Sequence, residues 1–85
     1  MNDQLEQTWK QLKTQRDEIR VQIHLAKAEL KDEWEKLDPT WQKAQHEYEE
    51  LKEATEDAAN EMHKSLTVVT DELSSAFERI KKRLD

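Results

Sequence analysis

Three histidines, twenty carboxylates and no cysteine set the chemistry open to this chain. His24, His46 and His63 lie beside apolar positions, and none falls three residues after a glutamate, so the Glu-x-x-His pattern of di-iron bundles is missing. The nearest pair of potential ligands is His46 with Glu49 or Glu50, a spacing that a chain so rich in acid produces by chance. Acid–base work by a carboxyl dyad needs one member raised in pKa by burial, and none of the acids sits in a setting apolar enough to supply that. Without glycine the chain can build neither a phosphate-cradling loop nor a nucleophile elbow, and without cysteine it has no thiolate. The expectation is a non-enzymatic protein that uses no cofactor and no metal.

Binding is the remaining chemistry. Trp9, Trp34 and Trp41 are residue types that anchor interfaces, yet all three fall on the apolar stripe, where core packing accounts for them. Glu49, Glu53, Asp57 and Glu61 recur every fourth residue, a like-charge row that weakens an isolated helix and offers an acidic face to a basic partner. The segment Arg79-Ile80-Lys81-Lys82-Arg83 is basic, which complements a helix C-terminus and also suits an anionic lipid surface. A net charge of -6 argues against nucleic acid as a partner.

The elements that position these groups follow from composition. Glycine is absent, proline occurs once and two residues in five are charged, so the fold is read as all-α. An apolar stripe runs from Leu5 to Leu84 in alternating steps of three and four. Paired four-residue steps at Ala26-Leu30-Trp34 and Ala58-Met62-Leu66 interrupt the heptad, as stutters do in coiled coils. Pro39 lacks an N–H and disfavours helix at Asp38, so the break is placed at Asp38-Pro39, with helix 1 over about 3–37 and helix 2 over about 39–84. The run Thr67-Val68-Val69-Thr70 is β-branched, and Thr70 could cap a further helix there.

Folding back at Asp38-Pro39 in a register where paired numbers sum to about 78 sets Trp34 against Ala44 and Ile19 against Ala58, the large-on-small alternation of a packed core. It also brings Arg16 to Glu61 and Arg20 to Asp57. The predicted architecture is therefore a single domain over 1–85, an antiparallel helical hairpin. The alternative is one long kinked helix in an antiparallel coiled-coil dimer. In the hairpin, helix 2 overhangs helix 1 and leaves Ala76, Phe77, Ile80 and Leu84 uncovered, with Trp9 also available to a second subunit. At 10.2 kDa and a mean hydropathy of -1.19, such a chain has little core of its own. Self-association into a homodimeric four-helix bundle is the expected remedy. No apolar run is long enough for a membrane span, and the first residues lack the order of a secretory signal, so a cytoplasmic location is expected.

The second half also resembles a known family. Leu51-Lys52-Glu53-Ala54, Asp57-Ala58, Asp71-Glu72-Leu73, Ala76-Phe77-Glu78 and Arg83 are similar to the C-terminal part of small bacterial coiled-coil stress-response proteins. That resemblance implies a cytoplasmic, non-enzymatic bacterial coiled coil related to stress response. The functions expected are a self-associating structural or protein-interaction module, or instead a lipid-surface protein acting through its C-terminal helix, or an adaptor for a basic partner.

Overall fold

A computed structural model describes residues 3–84. Four helical segments follow one another: α1 (Asp3–Ile23), α2 (Ala28–Lys36), α3 (Asp38–Glu53) and α4 (Glu56–Leu84). Because α2 and α3 join through Leu37 alone, which keeps right-handed helical angles, they form one bent rod. The fold is thus a small all-α bundle of three rods, the second of them bent, measuring 45 × 20 × 16 Å. Ion pairs fix the directions. Glu18 of α1 meets Lys81 of α4, so those helices run parallel, while Glu33 of α2 meets Arg83, so the bent rod runs antiparallel to both.

The expected break at Asp38-Pro39 is therefore a bend, and the chain reverses elsewhere. Proline at the start of α3 forfeits no helical hydrogen bond, and the Trp41 N–H still reaches the Leu37 carbonyl at 2.9 Å. Asp38 does not cap. Its carboxylate accepts from the Gln42 side chain at 2.9 Å and pairs with Arg16 at 3.5 Å. The two reversals occur at residues 24–27 and 54–55. Each turns on a residue in extended conformation, Lys27 (φ -64°, ψ 152°) and Ala54 (φ -76°, ψ 156°). That conformation is open to any residue, and no described residue has a positive φ, so a glycine-free chain can turn twice.

The two corners differ in their local coding. At the second, Thr55 caps α4: its Oγ1 accepts from the Ala58 N–H at 3.4 Å, and Glu56 and Asp57 place negative charge on the first turn. At the first, no side chain caps α2. What favours that reversal is burial further along. A helix continued past Ile23 would carry Leu30 and Trp34 away from α4, whereas the reversal buries Leu30 and sets the Trp34 ring 5.5 Å from that of Phe77. Burying one such side chain is worth about 1.5–3 kcal/mol, enough to outweigh a missing cap.

The core follows the stripe. Leu5, Leu12 and Ile19 of α1, Leu30 of α2, Ala44 and Leu51 of α3, and Leu66, Leu73, Phe77 and Ile80 of α4 are buried. No new helix begins at Thr70. Helix α4 runs straight through the β-branched run, with Thr67 Oγ1 donating to the His63 carbonyl (2.8 Å) and Thr70 Oγ1 to the Thr67 carbonyl (3.0 Å). Those bonds remove the hydroxyls' incentive to leave the helix.

Candidate interaction surfaces

The residues expected to cover a second subunit are placed inside the chain. Trp9, Ala76, Phe77 and Ile80 are all buried, and Leu84 is half-buried. The uncovered edge foreseen on helix 2 does not exist, because the bent rod and α1 both pack on α4 along it. The same rearrangement replaces the expected charge pairs. Arg16 lies against Asp38 and over the Trp41 ring, 4.9 Å from its centroid, rather than near Glu61.

The acidic row is divided by the second corner. Glu49 and Glu53 end α3, while Asp57 and Glu61 begin α4, and all four are exposed. The break at 54–55 ends the i,i+4 repulsion between Glu53 and Asp57 and sets the latter at a helix N-terminus, where its charge is favourable. A single acidic helix face spanning all four does not form.

Among the described residues no three His, Asp or Glu side chains gather as they would to hold a metal ion. His46 makes a surface pair with Glu50, Nε2 to Oε1 at 2.7 Å. His63 Nε2 and Glu47 Oε2 are buried without a hydrogen-bond partner. Their side chains are only partly enclosed, which limits the cost of leaving those atoms unpaired.

Two surfaces stand out. The first is the seam between α1 and α3, whose Cα atoms come no closer than 8 Å. Rings fill the gap. Trp9 stacks on Trp41 at 4.7 Å and on Tyr48 at 5.1 Å, with Arg16 and Lys52 covering the rings of Trp41 and Tyr48. Burial, followed by the negative charge of Glu6, raises the Tyr48 hydroxyl above its ordinary pKa, so it stays protonated. Outside the rings is a groove of about 330 Å³ whose Lys10, Lys13, Arg16 and Lys52 alternate with Glu6, Asp17 and Glu49. With mixed charges and covered ring faces, the seam serves to hold α1 against the bent rod.

The second surface is the first corner. Leu25 is 94% exposed and Val21 76%, although every other leucine, isoleucine and valine except Val68 is buried or half-buried. They border an open groove of about 610 Å³ with Ala26, Lys27, Leu30, Arg83 and Leu84. Between Ile19 and Ala28, and again from Arg79 to Leu84, there is not one carboxylate, in a chain where acids outnumber bases twenty to fourteen. Cations in the last turns of α1 and α4 complement the helix dipoles, which accounts for the charge but not for the bare leucine. The sequence reading passed over Val21 and Leu25. Their signal was present nonetheless: they stand one helical turn apart and off the apolar stripe.

No family model, curated protein or solved structure matches this chain. The resemblance carried by residues 51–84 gains no support from them. No described helix is long and apolar enough to cross a membrane.

Proposed function

We propose that this protein is a non-enzymatic helical interaction module that works through the end of the bundle formed by the α1–α2 corner and the last turn of α4. The observation that carries this reading is the exposure of Leu25 and Val21 beside the half-buried Leu84. A contiguous apolar patch on a small soluble bundle marks a docking surface, since exposing it contributes nothing to the fold. Val68, exposed alone on α4, needs no such account.

Self-association into a homodimer would use the same end, the place where apolar surface is left over. A two-fold pairing there would set Lys27 and Arg83 of one copy against the same residues of the other. A different molecule is therefore the favoured occupant. Stress-related action and a cytoplasmic setting remain what the sequence resemblance implied, compatible with this role. The test uses an anionic apolar dye such as anilinonaphthalene sulfonate, with amide shifts followed by NMR. Perturbation confined to residues 19–28 and 79–84, and lost in Leu25→Asp, supports the reading. Shifts centred on the α1–α3 seam, or binding indifferent to that substitution, would refute it.

A further inference from the structure

We infer that this end docks on an anionic phospholipid surface, with the long axis of the bundle standing away from the bilayer. The inference rests on the corner being the working surface, and adds what occupies it. Shape is the first argument. Residues 24–27 form the turn at one end of a body 45 Å long and 16–20 Å across, and Leu25 is nearly fully exposed. A protruding apolar tip enters the headgroup layer readily, since interfacial segments bury only about 5–10 Å of their apolar face.

Charge is the second argument, and it is independent of the first. Around the tip Arg20, Lys27 and Lys82 have no ion-pair partner among the described residues, while Lys81 and Arg83 are tied to Glu18 and Glu33. The bent rod carries the chain about 40 Å from this corner to the next. There the segment 47–61 holds seven carboxylates against one lysine. The bundle is thus polarised along its length: the α1–α2 turn and the last turn of α4 are basic around an apolar tip, with Glu29 and Asp32 of α2 set behind them, and the other corner is acidic. A planar anionic surface attracts the first end and repels the second, which fixes orientation as well as affinity. Each cation near such a surface strengthens attachment several-fold, and salt weakens it.

The absence of cysteine makes the test direct, because Gln22→Cys, beside the tip, and Glu53→Cys, at the far corner, each give one labelling site in the full chain. An environment-sensitive fluorophore on each is titrated with phosphatidylcholine vesicles, with and without phosphatidylserine, at low salt. The expected result is a blue shift at position 22 but not at 53, seen only with phosphatidylserine and reversed by salt. Lys27→Glu and, separately, Leu25→Asp should each weaken binding by roughly tenfold or more. Both variants should melt like the parent chain, since both side chains are exposed.

No binding to phosphatidylserine vesicles overturns the lipid assignment, as does a response at position 53 or an undiminished Leu25→Asp. If the dye still maps to the corner in that case, the surface is real and its occupant is an acidic polypeptide or a second copy. Head-to-tail pairing of copies, basic tip on acidic corner, would appear as filaments by light scattering without lipid. If the dye also fails, the interaction reading falls with the lipid one.

Discussion

Replacing Trp9 with alanine should remove a large share of this protein's stability, although the residue belongs to a helix whose backbone makes no contact with α3, the segment its ring joins. Trp9 is 4% exposed and lies between Trp41 at 4.7 Å and Tyr48 at 5.1 Å, so its ring is the material that fills the space between α1 and α3. Loss of a buried tryptophan costs about 3–5 kcal/mol in general. Stacked neighbours each add about 0.5–1.5 kcal/mol beyond area. Collapse of the gap is resisted because α4 packs on both α1 and α3. We therefore expect about 4 kcal/mol, against a total of roughly 4–13 kcal/mol for a chain of 85 residues. Trp9→Phe keeps a ring in the stack and should cost about 1–2 kcal/mol. Urea unfolding followed by far-ultraviolet circular dichroism, at two protein concentrations a hundredfold apart, measures both values. A cost below about 1 kcal/mol for Trp9→Ala would refute the bridging role. So would a cost that depends on concentration, which would return Trp9 to a subunit interface.

Three further outcomes follow from the same geometry. Thr55→Ala should cost about 1 kcal/mol through loss of the α4 cap, read from the same urea midpoints. Pro39→Ala should change stability by less than about 1 kcal/mol, because the proline starts α3 and marks no reversal; a large loss with altered helicity would restore a corner there. Tyr48 holds its proton more tightly folded than unfolded. Its contribution is therefore complete below the ordinary value of 10.0 and is lost as pH rises above it through the folded pKa. Urea midpoints of the parent chain should fall across that window more steeply than those of Tyr48→Phe; parallel curves would contradict the burial of the hydroxyl.

The helical character and most of the core were legible in the residues. From Leu5 to Ile80 the stripe names nearly every buried position, because burial on a helix leaves a period that survives any folding back. Where the chain turns was misread for a physical reason. Proline at position 39 is the one strong breaker in the residues, yet Lys27 and Ala54 turn the chain with negative φ and need neither glycine nor proline. The second corner was advertised by Thr55-Glu56-Asp57, a cap with two acids behind it. At His24-Leu25-Ala26-Lys27 no turn chemistry exists, and the reversal depends on Leu30 and Trp34 finding α4, which no local pattern encodes. Both reversals do adjoin the paired four-residue steps that spoil the heptad.

Misplacing the corners also misplaced the surfaces. A helix 1 extending to Leu37 leaves Ala76, Phe77 and Ile80 uncovered; once the chain reverses after Ile23, α1 and the bent rod both pack there, with Trp34 and Trp41 against Phe77. Val21 and Leu25 break the pattern of apolar residues on one face and polar or charged residues elsewhere. The stacking of Trp9 between Trp41 and Tyr48 was beyond sequence reasoning, since it joins α1 to α3 through rings alone.

The working end exists only if α1 stops at Ile23 and lies parallel to α4. Spin labels at Glu18→Cys and Lys81→Cys, in a sample diluted with unlabelled chain, report on this directly, for the native side chains meet at 3.1 Å and both are about half exposed. The bundle predicts strong short-range coupling between the labels within one molecule. A hairpin turned at Pro39 would instead set position 18 opposite residue 60 and hold the labels about 30 Å apart along α4, a separation that would contradict the three-rod fold and the exposed corner with it.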